Sequence, residues 1–118
     1  MLVFNEENVA MSSYQAEVMW GSGVPGEVAA ARTAIGFGIP SILGLNTQQL
    51  IWIIVDGEDD VTGISLPNLA NEFIKLGTKK ACNLDGGGST ELVINQKLVN
   101  LPDGGTYQRP LAASVMIL

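Results

Sequence analysis

The sequence predicts an α+β fold: a largely buried, mixed or antiparallel β-sheet with one or two packed helices. Three observations carry that expectation. One run, residues 50–55, is wholly apolar and rich in β-branched and aromatic side chains, as a strand buried on both faces is. One segment, residues 66–76, has the apolar spacing and both end signals of an amphipathic helix. The other apolar stretches are short and separated by clusters of Gly, Pro, Asn and Ser, the punctuation of strands and turns. At 118 residues the chain is one domain, residues 1–118, large enough to bury a real core.

Taken in order, residues 5–20 are read as a helix with Asn5 as its N-cap and glutamates in the first turn, where they favour the helix dipole. A strand over residues 17–20 is the competing reading. Residues 21–26, with three glycines and Pro25, break the chain. Residues 29–37 read as a strand of small apolar side chains, and residues 38–46 as a loop or single turn. After the strand at 50–55 come Asp56-Gly57 and an acidic loop, Glu58 to Asp60. Ser65 is placed to cap the helix, Pro67 lies in its first turn, and Gly77 stands at the position where a left-handed residue stops it. A short strand to Leu84 follows, then the loop Asp85 to Thr90. Residues 91–94 and 97–100 form a hairpin about Asn95-Gln96, and residues 102–105 a further loop. Residues 110–118 close the chain as a strand.

Composition excludes several classes of function. The hydrophobic fraction is 47%, the charged fraction 15%, and the longest apolar run is far too short to span a bilayer. A net charge of −6 repels phosphate backbones, so no nucleic-acid partner is expected, and no membrane. No basic leader opens the chain, which fits a cytoplasmic protein. A single cysteine, Cys82, allows no internal disulfide and is read as a small buried hydrophobe. There is no histidine, which removes Ser-His-Asp and Cys-His catalysis and His-ligated metals. Neither a metal nor a cofactor is expected.

The anion-binding options are few, because the chain has only Arg32, Arg109 and four lysines. Arg32 stands among small apolar residues, where it is either an anion fork or a side chain snorkelling at an edge. Arg109 precedes Pro110 in a similar setting. Three glycines, Gly86 to Gly88, at a strand exit cost backbone entropy that a plain turn does not require. They allow a close ligand approach and an amide nest for an anion, with Asp85 at the rim and the hydroxyls of Ser89 and Thr90 beside it. The plain alternative is a turn in which Asp85 bonds its own backbone. Asp56 ends its strand as Asp85 does, with a glycine following. Two such ends can bring two carboxylates to one rim of a sheet, as acid/base chemistry on sugars requires. Gly21, Gly23 and Gly26 match G-x-G-x-x-G in form only, since Gly36, Gly38 and Pro40 break any helix starting there. Trp20 and Trp52 are read as core or interface rather than sugar-stacking platforms.

Four segments, in order, carry a resemblance: Ala31 to Gly36 (Ala-Arg-Thr-Ala-Ile-Gly), Ile54 to Gly57 (Ile-Val-Asp-Gly), Asn83 to Thr90 (Asn-Leu-Asp-Gly-Gly-Gly-Ser-Thr) and Arg109 to Ala112 (Arg-Pro-Leu-Ala). Together they resemble the phosphodiester glycosidase domain, a family that includes mannose-6-phosphate uncovering enzymes and bacterial proteins associated with exopolysaccharide. The resemblance covers residues 23–118 and leaves residues 1–22 unmatched, so the domain looks shortened at its N-terminus. It implies hydrolysis of a sugar-1-phosphodiester or related glycosyl phosphate. On that footing Asp85 and Asp56 share the acid/base roles, and Arg32, Thr33, Gly86, Gly87, Gly88, Ser89, Thr90 and Arg109 hold the phosphate. The alternative is a non-catalytic, phage-type binding protein that sequesters a phosphate-containing nucleotide or sugar. A homo-oligomer is expected from the apolar composition, with Met11, Tyr14, Met19, Trp20, Ile39, Ile42 and Leu43 as interface candidates.

Overall fold

Short antiparallel strands, two two-residue hairpin turns and one amphipathic helix organise the chain in a computed structural model that describes residues 1–17, 25–58, 61–102, 105 and 108–117. Two short strands open it, β1 (Val3–Phe4) and β2 (Glu7–Asn8), followed by helix α1 (Ala10–Glu17). Then come β3 (Arg32–Gly38), β4 (Gln49–Val55), helix α2 (Leu66–Lys75), β5 (Thr78–Asn83), and the small hairpin β6 (Val93–Ile94) and β7 (Lys97–Leu98). The five-stranded sheet has the order β2-β1-β5-β3-β4, and each described pairing is antiparallel. The fold is α+β.

Asn5 does not cap a helix. Asn5 and Glu6 have φ of 51° and 68° and form the two-residue turn that joins β1 to β2. The helix begins five residues later, where Asn8 Oδ1 accepts the Ala10 N–H at 3.1 Å. The Asn8 amide also donates to Asn71 Oδ1 at 2.8 Å and to the Pro67 carbonyl at 3.0 Å, which ties the start of α1 to α2. Residues 18–24, with Met19, Trp20 and most of the glycine-proline breaker, lie outside the described residues, as do Asp59, Asp60, Asp103 and Gly104. Around Gly26 the chain makes a turn, with the Val28 N–H on the Pro25 carbonyl at 3.0 Å, and no helix starts there.

Helix α2 lies between its end signals. Ser65 sits in extended backbone at its N-terminus but its side chain makes no capping hydrogen bond, and Gly77 takes φ 73° just past its C-terminus. Its face of Leu66, Leu69, Ala70 and Phe73 is buried against Ala34, Ala81, Val3 and Leu2. Phe73 lies directly over Gly36 of β3, where a Cβ would stand 2.6 Å from its ring. The strand there has room for the ring only because the residue is glycine.

β4 is a strand, as its apolar run predicts, but it is not buried on both faces. It ends the sheet order, Ile51 to Val55 are half-buried, and Leu50 is exposed. An apolar run marks a strand without saying whether it is central or at an edge, since that depends on strand order. Of the interface candidates, Tyr14 is spent on the core, Met11 and Ile39 are half-buried, and Ile42 and Leu43 are exposed on a short turn (Ser41–Leu43). Residues 110–117 form no strand: a strand exists through its ladder, and these residues pair with none of the described strands. Among the described residues no helix is long and apolar enough to cross a membrane.

Candidate functional site

β4 and β5 both run antiparallel to the strand between them, β3, so they run parallel to each other and end at the same rim. That rim is where β3 begins, with Arg32 opposite Val55 and the Leu84 N–H on the Thr33 carbonyl at 2.8 Å. Asp56 and Asp85 therefore share one edge of the sheet, with backbones roughly 10 Å apart, two strand spacings. Their side chains have different surroundings.

Asp85 Oδ1 accepts the Gly86 N–H at 3.0 Å, the local bond of a turn-forming aspartate, and its other oxygen has no partner among the described residues. The carboxylate lines a cleft of about 240 Å³. Asp56 is not part of that cleft wall. Its Oδ1 accepts the Asn100 amide at 2.8 Å and its Oδ2 accepts the Leu101 N–H at 3.0 Å. Asn100 also donates to the Thr90 carbonyl at 2.7 Å and accepts the Leu92 N–H at 2.7 Å. Asp56 thus braces the segment after the glycine loop.

Each of the three glycines has its own reason. A Cβ on Gly86 would stand 2.9 Å from the Ala31 carbonyl oxygen, and Gly87 takes φ 55°. A Cβ on Gly88 would stand 3.1 Å from Nη1 of Arg109, whose guanidinium lies over it. The open amide nest expected here does not form as such: the N–H groups of Gly86, Gly87, Ser89 and Thr90 donate to Asp85 Oδ1 and to the carbonyls of Ala31, Gly86 and Gly87. The loop is shaped for close packing on β3 and for seating Arg109.

Arg32, expected as an anion fork or a snorkelling side chain, does not snorkel. It is buried, and its guanidinium donates to the carbonyls of Val28 at 3.0 Å, Ile64 at 3.3 Å and Pro25 at 3.4 Å. A guanidinium has five donors in a rigid fork, and here three carbonyls of two segments, residues 25–28 and Ile64, accept from it. Arg109 is exposed and donates through Nη2 to Ser89 Oγ. Glu91 holds it in place: Oε1 accepts the Arg109 N–H at 2.9 Å and Oε2 accepts the Gln108 amide at 3.1 Å.

Thr33, Asp85 and Ser89 meet in the cleft, while Arg32 and Asp56 stand outside its wall. Thr90 is fully buried beneath it, and its hydroxyl has no hydrogen-bond partner. Two further functional candidates escape sequence reasoning. Glu91 reads as the start of a strand, although its place directly after the glycine motif is a signal. Trp52 reads as core or interface, yet it lines the cleft, and only the register with β3 reveals its face. Leu111, Ala113 and Val115 complete the apolar wall. Among the described residues, no three Asp, Glu or Cys side chains gather as a metal centre.

A family model described as phosphodiester glycosidase matches residues 1–118, the first 22 included. The N-acetylglucosamine-1-phosphodiester alpha-N-acetylglucosaminidases of Bos taurus and Homo sapiens are each 37% identical over 75 residues, 64% of this chain. The chain aligns with only 13% of the length of those curated relatives. Among solved structures, the catalytic domain of the zebrafish N-acetylglucosamine-1-phosphodiester alpha-N-acetylglucosaminidase, auto-inhibited by its pro-peptide, superposes with a TM-score of 0.71 at 29% identity. That match covers 92% of this chain and 36% of the zebrafish one.

Proposed function

The chain belongs to the phosphodiester glycosidase family, and from that premise we propose that it hydrolyses a glycosyl phosphodiester, such as a sugar-1-phosphodiester, in the cleft beside the glycine loop. The observation that supports this reading most is the convergence of a half-free carboxylate, Asp85, with Ser89 and the guanidinium seated on Gly88.

In this reading the phosphate rests against Arg109 and Ser89, and the sugar enters the cleft. Asp85 takes a proton from water as the water oxygen bonds to the anomeric carbon. The bond from that carbon to the bridging oxygen breaks, and its electron pair leaves on the phosphomonoester, whose charge Arg109 balances. Products are the free sugar and a phosphomonoester. Both oxygens of Glu91 accept N–H bonds from the Gln108–Arg109 segment, and its role in this reading is to hold Arg109. Arg32 and Asp56 support the site through the backbone, by fastening residues 25–28 and 64 and the segment around Asn100.

A second reading, binding without turnover, is favoured by one observation: Asp85 is the one cleft carboxylate with an oxygen to spare among the described residues. Incubation with N-acetylglucosamine and glucose 1-phosphodiesters, followed by mass spectrometry of the free and protein-bound pools, separates the two. Hydrolysis gives free sugar in excess of protein, and sequestration gives a stoichiometric bound pool of intact ligand. Neither turnover nor bound ligand would sink both.

A further inference from the structure

The sheet has a face turned away from α2, and one row across it is open. Phe4 pairs with Lys80, Lys80 with Phe37, and Phe37 with Leu50, so these four residues stand side by side across β1, β5, β3 and β4. Residues directly opposite in antiparallel strands point to the same face. The neighbouring row, Val3, Ala81, Gly36 and Ile51, points the other way and packs under α2. Phe4 and Phe37 keep 45% of their surface in solvent, Leu50 keeps 54%, and Lys80 is exposed between the two phenylalanines. Ile42 and Leu43, 69% and 65% exposed, extend the apolar area in the connection from β3 to β4. The row is separate from the cleft, since Phe37 stands about 13 Å along β3 from Thr33.

Contiguous apolar surface of this kind marks an interaction site on a small protein. Its chemistry selects the partner. Against a reversed copy of itself the row is complementary: Phe4 meets Leu50, Lys80 meets Phe37, Phe37 meets Lys80 and Leu50 meets Phe4. Lys80 Nζ already lies 5.4 Å from the centroid of the Phe4 ring. The reversed copy brings a second ring to each ammonium, and a cation between aromatic faces is attracted by both. Charge points the same way. The chain carries −6, so most of its surface repels a second copy. The row holds one charge, Lys80, with Glu7 beside it opposite Phe4. In the reversed register Glu7 falls past the partner's Leu50, and no like charges meet.

We propose that this row is an interface between two copies of the chain. They pack sheet on sheet about a two-fold axis running between β5 and β3, and each Lys80 is held between its own Phe4 and the partner's Phe37. Sheets packed this way lie ~10 Å apart with interdigitated side chains. The contact is isologous, so each favourable pair occurs twice.

Light scattering coupled to size exclusion tests this on the full chain, from micromolar to submillimolar concentration. One variant carries Phe37→Lys, which sets like charges against the partner's Lys80. A second carries Phe37→Glu and Lys80→Glu, which does the same with acids. Each alone should scatter at half the mass of wild type, with the dissociation constant raised by about tenfold or more. Mixed, the two should recover the wild-type mass, because every facing pair then joins opposite charges. Neither variant touches β4, so any pairing along that edge persists in both and the halving is read on top of it. If a charged variant fails to fold, Phe4→Ser and Phe37→Ser take its place and should raise the dissociation constant about tenfold. An unchanged constant in those two overturns the proposal. So does wild type at 12.4 kDa throughout, an unchanged mass in both charged variants, or a mixture that fails to recover it.

Discussion

Alanine at Gly88 separates the anion-binding role of the glycine loop from its role in folding. The added Cβ would stand 3.1 Å from Arg109 Nη1 and 3.3 Å from Cζ, closer than the ~3.5–4.0 Å at which such atoms rest, and 3.6 Å from Nε. Gly88 is not among the residues with positive φ, so its backbone accepts alanine. What must give is the guanidinium, which is the far end of a flexible side chain. It lifts by a few tenths of an ångström, and its bond to Ser89 Oγ is strained or lost. A hydrogen bond to a charged group contributes about 1.5–3 kcal/mol, and Arg109 is exposed, so the lower end applies. Affinity for glucose 1-phosphate should therefore fall about tenfold. Stability should hold or rise by about 0.4–1 kcal/mol, because alanine restricts the unfolded chain more than glycine does. Gly87→Ala is the contrast: at φ 55° alanine is strained by about 1–2 kcal/mol, so that variant loses stability first. The assay is calorimetric titration of wild type, Gly88→Ala, Gly87→Ala and Arg109→Gln, with a thermal melt of each. A folded Gly88→Ala that binds glucose 1-phosphate as tightly as wild type would refute the placement of the phosphate at Arg109.

Four further outcomes are expected. Asp85→Asn should cut phosphodiester turnover by about 10²–10⁴-fold with an unchanged melting temperature, and near wild-type turnover would remove Asp85 from the chemistry. Glu91→Ala has two opposed effects, since it deletes a negative charge near the phosphate and releases Arg109. If holding Arg109 dominates, phosphate-ester affinity falls and the fall vanishes in an Arg109→Gln background, whereas a gain in affinity would show that Glu91 acts only by repulsion. Asp56→Ala removes acceptors from Asn100 and Leu101 and should destabilise by about 1–3 kcal/mol in urea unfolding; a turnover loss matching Asp85→Asn at full stability would instead make Asp56 an acid/base. β4 ends the sheet with no charge, proline or bulge in Gln49–Val55, so two copies should pair along it as a two-fold dimer. Light scattering showing only 12.4 kDa at micromolar concentration would contradict that pairing.

Elements whose signals lie within a few residues were legible in the sequence. Ser65, Pro67 and Gly77 bound α2, and its apolar positions recur at helical spacing, so every interaction that defines it is local. The Asn95-Gln96 turn is legible for the same reason, and Asn5-Glu6 has nearly the same φ pair, yet its glutamates favour a helix start just as well. Only the pairing of β1 with β5, more than seventy residues away, decides between them. The glycine triplet announces a special loop, and Asp85 belongs to it by adjacency. What the triplet packs against is set by Ala31 and Arg109, one from each side of the chain. The scarcity of arginine singled out Arg32, but a guanidinium donates to carbonyl oxygens as readily as to phosphate. Its partners at Pro25, Val28 and Ile64 depend on where β3 begins relative to α2. The alternation along β4 puts Trp52 on one face, but whether that face meets a helix or a cleft depends on which side of the sheet α2 crosses. Local backbone preference and capping are carried by neighbours in sequence, and they determined the elements. Strand order and the packing of the chain beyond β5 bring residues 18 to 45 positions apart into contact, and they alone decided which carboxylate faces the cleft and which guanidinium is seated on the glycine loop.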